Sequence, residues 1–469
     1  MNRRDFLLGS AASWLMAKSA GYAAPAVTPA PGMAVVELGR RGPAIPSDFM
    51  GLSYESGMIS NPGFFAADNH SLIGLIRRLG SHGVIRIGGN SSEFTRWAPS
   101  IGAAAAPAPA GRRFSVITPG DITRLAGFIH ATGWRLLYGL NLGHGTPESA
   151  ASEAAAVAAA VGDSLLAFQI GNEVDLFSHN HLRAKTYGVA DFLAEWKQYA
   201  DAVRAKVPHA KFAGPDTASH TDWVTAMADQ APPDLVLLSR HYYAGGPGMT
   251  AERLLGSLTR LKRTFAPLRK LSAETKLPYR ITEGNSSYHG GQAGVGDTLV
   301  SALWGADFLF QLAQEHGAGM NFHGGAGGVY TPIARVRDAD YTARPLYYGL
   351  LLFAQAARGR LVPAQVDPAL NVGFYAAQDR AGTLRVTVIN RHVAQPAKLT
   401  VDSGKNHRTA SAMYLTGPAL DSKEGVTLGG AAVGPDGAWA PTATTPVKLD
   451  GARFPLEIPV GSAVVVTLG

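Results

Sequence analysis

The sequence predicts an α/β protein: a (β/α)8 barrel carrying an additional antiparallel β-sandwich, built from the C-terminal region and one N-terminal strand. Three observations lead there. At 469 residues the chain exceeds what one ordinary core organises. Eight short apolar runs alternate with helical patterns across about 300 residues, which is the rhythm of a closed parallel barrel. From about residue 350 that rhythm gives way to short alternating or apolar runs at sandwich spacing. A doubly wound open sheet is the rival, but no Gly-x-Gly-x-x-Gly turn follows the first strand of the series.

The elements follow in chain order. Residues 1–23 read as an export signal of the twin-arginine type, with Arg3-Arg4 ahead of a short apolar stretch broken by Gly9, Ser10 and Ser13. Residues 24–48 hold a Pro/Ala linker and a strand at 34–38, which is expected to join the sandwich. The barrel is expected over 49–348, with strands at 51–54, 84–87, 135–140, 165–170, 211–213, 235–239, 279–282 and 319–322. Helical patterns lie between most of them, at 70–79, 122–132, 149–161, 190–207, 251–276 and 298–316. The run 103–110, four alanines and then Pro-Ala-Pro-Ala, is too poor in side chains to pack and reads as a loop on the catalytic rim. Residues 349–469 form the sandwich, with strands at 384–389, 397–401 and 463–468.

Composition excludes several function classes. Hydrophobic residues are 46% and charged residues 16%, the reverse of a disordered chain. The formal charge is +7; Arg3, Arg4 and Lys18 less Asp5 contribute +2 of it, leaving +5 for the remainder. No run of five like charges occurs, so nucleic-acid binding is not indicated, while an acidic substrate is compatible. With no Cys there is no disulfide, thiol nucleophile or lipoprotein anchor.

Two carboxylates stand where barrel chemistry is done, at the C-terminal ends of strands. Glu173 closes the fourth strand in Gly171-Asn-Glu173, and Glu283 closes the seventh in Thr282-Glu-Gly-Asn285. Glycoside hydrolysis needs such a pair, one to protonate the leaving oxygen and one to attack or activate water. Asn172, beside the first, can hydrogen-bond a sugar 2-hydroxyl, or it simply caps the strand as a turn residue. His241-Tyr-Tyr243 ends the sixth strand and can orient Glu283 and hold it ionised, or fill the barrel mouth with aromatic bulk. His179, His181 and His220 lack metal-ligand spacing, and Gly284-Asn-Ser-Ser and Gly324-Gly-Ala-Gly-Gly328 lack the Lys of a phosphate loop. No metal or cofactor is expected.

Gly171-Asn-Glu173 and Glu283-Gly-Asn-Ser-Ser-Tyr-His-Gly290, with Arg86-Ile-Gly-Gly-Asn90 upstream and Ala343-Arg-Pro-Leu-Tyr-Tyr-Gly-Leu350 downstream, resemble glycoside hydrolase family 79. That family groups β-glucuronidases with heparanase-like enzymes. The resemblance runs from about residue 34 to the C-terminus, and its specific part is Glu-x4-Tyr-x-Gly after the seventh strand. It implies that Glu173 is the acid/base and Glu283 the nucleophile of a retaining mechanism. It implies too that Tyr288 and the Gly290 amide hold the uronic-acid carboxylate, aided by Tyr330. Glu55 and Asn90 would bind the same sugar. Packing for Tyr330, a surface acid for Glu55 and a turn residue for Asn90 are the ordinary alternatives. One departure is His289, where heparanase-like members carry glycine directly after the tyrosine.

The expected function is that of an exported, periplasmic or secreted exo-β-glucuronidase acting on a glucuronic-acid-containing glycoside or polysaccharide. An endo-β-glucuronidase of acidic polysaccharides and a non-catalytic glycan-binding protein are the alternatives. Basic clusters flanking the cleft, which a grip on sulfated chains would need, are missing from the sequence.

Overall fold

The computed structural model describes residues 30–100, 114–230, 232–337 and 340–469. The export segment 1–23, nearly all of the Pro/Ala linker and the 103–110 run lie outside these residues.

Eight parallel strands close into a barrel: β1 (Met50–Glu55), β2 (Val84–Gly88), β3 (Arg135–Leu140), β4 (Leu165–Ile170), β5 (Phe212–Thr217), β6 (Leu235–Tyr243), β7 (Tyr279–Asn285) and β8 (Met320–Gly324). The ring is sequential, and β8 closes it by pairing with β1 from Met320↔Met50 to Gly324↔Tyr54. Each expected strand is present. The helices between them are fixed by local signals, such as the Thr118–Asp121 capping box ahead of Pro119–Thr132 and the Thr146 cap ahead of Pro147–Val161.

The structure departs from the sequence expectation in four places. The pattern at 251–276 is two helices, Ala251–Ser257 and Leu261–Thr275, joined by a single 3-10 turn. A helix at Thr221–Gln230 is added between β5 and β6. β5 runs four residues past Ala213, through Gly214-Pro215, which by sequence reads as a strand end. The last departure concerns the sandwich, where Met33–Val36 pairs antiparallel with Ala364–Val366 but parallel with Ala397–Asp402, so the sheets are not purely antiparallel.

The sandwich packs that four-stranded sheet against a seven-stranded one running through Val372–Gln378, Leu384–Asn390, Ala463–Leu468 and Ala410–Thr416. Its interior is mostly aliphatic, including Val386, Val401, Ile458 and Val466, with Phe374 and Phe454 among them. The main core continues from the barrel into the second sheet through Tyr375, Ile389 and Leu415. The helix Pro345–Ala356 is part of that core, and the expected division at 348/349 falls inside it. Asp307, fully buried on the helix Leu299–Gln314, ties the two parts together: it accepts from Tyr375 Oη at 2.5 Å and from Arg391 at 2.7 Å. Among the described residues no helix is long and apolar enough to cross a membrane.

Candidate active site

Inward-facing positions of a barrel strand recur every second residue, and at the C-terminal rim of this barrel they are polar. Arg86 on β2 is the centre of the cluster, 1% exposed. Its guanidinium donates to Asp216 Oδ2 at 2.5 Å, Glu283 Oε2 at 2.6 Å, Asn172 Oδ1 at 2.7 Å, and Gln169 Oε1 and Ser53 Oγ at 3.2 Å. This one side chain therefore binds partners from β1, β4, β5 and β7 and the turn after β4. Only a planar fork of five donors can do that. Gly88 leaves the space: a Cβ there would lie 2.3 Å from the Arg86 guanidinium carbon.

Glu283 Oε1 accepts from Tyr243 Oη at 2.9 Å, and His241 Nδ1 and His323 Nδ1 stand 4.0 and 3.7 Å from its oxygens. Burial alone would raise its pKa. The charges of His323, His241 and Arg86 and the Tyr243 hydroxyl outweigh burial and hold it at about 2. His241 is itself pulled down by burial and pushed up by Asp216 and Glu283, to about 10, so it is a cation. It bridges Glu173 Oε1 and Asp216 Oδ2, both at 3.1 Å.

Glu173 sits on a left-handed turn, with Gly171 at φ 85° and Glu173 itself at φ 49°. A non-glycine residue there costs on the order of 1 kcal/mol, so its neighbours must impose the conformation. Two hydrogen bonds do so: Glu173 N–H donates to the Asp216 carbonyl at 2.8 Å, and Asn172 N–H to Glu93 Oε1 at 2.7 Å. One oxygen of Glu173, one of Glu283 and a ring nitrogen of His241 all lie within 4.8 Å of one another.

A cavity of about 970 Å3 opens over this cluster. Glu55, Asn90, Glu173, Tyr243, Glu283, Tyr288, Gly290 and Tyr330 all line it. Asn172 does not; its amide is oriented by Arg86 and reaches Asn90 Oδ1 at 3.3 Å, beside a second cavity of about 370 Å3. Glu55 is no free surface acid, since it accepts from the Ser91 amide at 2.8 Å and stands 3.4 Å from His323 Nε2. Tyr330 is buried, and Asn285 holds its carbonyl at 3.1 Å. Tyr288 stands on the rim, 46% exposed. His289, Gly290 and Gly291 all take positive φ, at 58°, 82° and 97°. The histidine thus occupies the left-handed backbone that glycine favours. Among the described residues the Gly290 N–H has no partner.

Sequence reasoning gave no role to Arg86, Asp216, His323 or Glu93. Glu93, 1% exposed in the 3-10 turn after β2, accepts from the amides of Asn172, Leu142 (2.9 Å) and Gly143 (2.5 Å). Burial raises it to about 7, the three amides only partly offsetting this. A carboxyl raised in the fold stabilises it below the unfolded pKa, and this contribution is lost as pH rises through the folded one. Glu93→Gln is therefore expected to abolish a fall in stability between about pH 4.5 and 7. Urea unfolding of both proteins across that window checks it, and an unchanged pH slope would refute it.

The barrel, with two carboxylates converging at its C-terminal rim, is the architecture of the barrel glycosidases. No protein-family profile matches the sequence. The chain is 25% identical over 452 residues to a β-glucuronidase of Aspergillus niger, covering 87% of this chain and 82% of that one. A β-glucuronidase of Neurospora crassa matches at 23% identity over 342 residues, 64% of this chain and 60% of that one. Among solved structures, a 4-O-α-L-rhamnosyl-β-D-glucuronidase from Fusarium oxysporum superposes with a TM-score of 0.78 at 18% identity, over 94% of this chain and 98% of that one. An α-L-arabinofuranosidase from Thermotoga maritima gives 0.71 at 14% identity, over 92% and 99%. These structural likenesses show the fold. The chain is a glycoside hydrolase.

Proposed function

We propose that the protein is an exported, retaining exo-β-glucuronidase of glycoside hydrolase family 79, with Glu283 as nucleophile and Glu173 as acid/base. The observation that carries this reading is the approach of the two carboxylates, with oxygens within 4.8 Å. Retaining enzymes hold their carboxyl groups about 5–5.5 Å apart, and inverting ones leave room for a water at about 6.5–9.5 Å. Glu283, kept ionised against burial by His323, His241 and Arg86, attacks the anomeric carbon while Glu173 protonates the departing oxygen. Glu173 then takes a proton from the water that releases glucuronate. Tyr288 and the unpartnered Gly290 amide stand on the cavity rim as donors for the sugar carboxylate, which supports a uronide over a neutral sugar. The β-glucuronidase relatives agree with that choice. Residues 1–23 would direct export, and the division into a barrel and a sandwich that braces it is part of the same reading.

The test is hydrolysis of p-nitrophenyl β-glucuronide beside p-nitrophenyl β-glucoside. Release from the glucuronide is expected to exceed that from the glucoside by on the order of 10³-fold, because a site built around donors rejects a sugar that leaves them unpaired. Equal rates would remove the carboxylate-reading role of Tyr288 and Gly290. The second cavity, which shares Asn90, His179 and Asn180 with the lining of the first, favours an endo-acting enzyme as the other reading. Oligosaccharide products from a long glucuronic-acid polymer would select it.

A further inference from the structure

Away from the catalytic cavity, where the chain enters the barrel from the sandwich, a groove of about 720 Å3 collects arginines that are far apart in sequence. Arg40, Arg41, Arg360 and Arg380 line it, against Asp379. The groove is built rather than accidental. Gly42 N–H donates to the Leu361 carbonyl and Ile45 N–H to that of Gly359, both at 3.0 Å, and Arg360 reaches the Gly42 carbonyl at 2.6 Å. A Cβ at Gly42 would meet the Leu361 carbonyl oxygen at 2.7 Å, and one at Gly359 would meet that of Gln378 at 2.4 Å. Glycine is required at both places for the strands to approach, and that approach brings residues 40–42 against residues 359–361.

The positive charge is only partly neutralised from within. Glu37 pairs with Arg40 and Asp379 with Arg385, at 2.6 and 2.8 Å. Among the described residues Arg41 and Arg380 have no acidic partner.

We propose that this groove is a second carbohydrate site, which binds a segment of an acidic polysaccharide through its carboxylate or sulfate groups. The inference rests on the reading of the enzyme as one that acts on uronic-acid glycosides. Guanidinium forks match such planar or tetrahedral anions in pairs. A concave groove admits a chain, whereas a membrane would present a flat face to it. By holding a polymer remote from the cleavage point, the groove raises the local concentration of chain ends at the cavity.

The test is calorimetric titration of the mature protein with polygalacturonate, with dextran as the neutral control. The comparison is the Arg41→Ser/Arg380→Ser double variant, whose fold is checked by circular dichroism. The wild type should bind polygalacturonate and not dextran, and the variant should bind it about five- to tenfold more weakly. kcat/KM on p-nitrophenyl β-glucuronide should be unchanged, since neither arginine touches the catalytic cavity. Equal affinity of the two proteins, or equal binding of dextran, would overturn the proposal. So would arginine-dependent binding to phosphatidylglycerol vesicles without binding to the polymer, which would make the groove a membrane contact. Failure to cleave the glucuronide would sink the catalytic reading alone, because the titration still decides the groove.

Discussion

Glu283→Ala is expected to lower turnover of p-nitrophenyl β-glucuronide by about 10⁴-fold or more, since no other group can form the covalent bond to the sugar. Glu173→Ala is expected to behave differently. Nitrophenolate leaves without protonation, so the first step survives and the second, which needs a base for water, becomes slow. Added azide separates the roles. With Glu173→Ala it should replace water on the glycosyl-enzyme and give the β-glucuronosyl azide. With Glu283→Ala it should occupy the vacated space, attack directly and give the α-azide. The opposite pairing of products would exchange the two assignments, and azide without effect on either variant would remove the covalent mechanism. Because Glu283 is held at about 2, its own titration should not appear in the pH–rate profile above pH 4.

Much of this site is legible in the sequence because a barrel places chemistry at a fixed address. Once eight strands are recognised, a carboxylate at a strand end is at the rim, and Glu173 and Glu283 follow. What the sequence conceals is what holds them. Asp216 is hidden behind Gly214-Pro215, which reads as a turn but is carried inside β5. His323 lies one residue beyond the expected end of the eighth strand, which runs on to Gly324. Glu93 hangs from a 3-10 turn, where no periodicity marks an inward face. Arg86 is the instructive case, since a signal for it was present. A charged residue between apolar neighbours in Val84-Ile-Arg-Ile has no place in a buried strand unless partners wait for it inside. Gln169 and Thr282 stand out in their strands for the same reason.

Arg86→Met is the variant expected to damage the fold most. The methionine fills much of the volume but leaves Asp216 and Glu283, 0% and 5% exposed, as neighbouring buried carboxylates without the cation between them. Removing one partner from a buried ion cluster costs about 3–5 kcal/mol, far more than the loss of a surface pair. His241, pushed up to about 10, and His323, raised against burial by Glu283 and Glu55, still face the carboxylates and limit the damage rather than prevent it. The penalty should also depend on pH in a definite direction. In the wild type both carboxyls are held below their unfolded values, so their contribution is present above about pH 4.5 and lost as pH falls toward 2. The variant lacks most of that contribution, so the gap between the two proteins should be widest near neutrality and close in acid. Arg86→Lys keeps a charge but cannot span five acceptors, and it should recover part of the stability without the activity. Urea unfolding of all three proteins at pH 7 and pH 3.5 measures this. A gap that stays constant with pH would mean that Arg86 acts through packing, and that the charge of Glu283 is set by the two histidines.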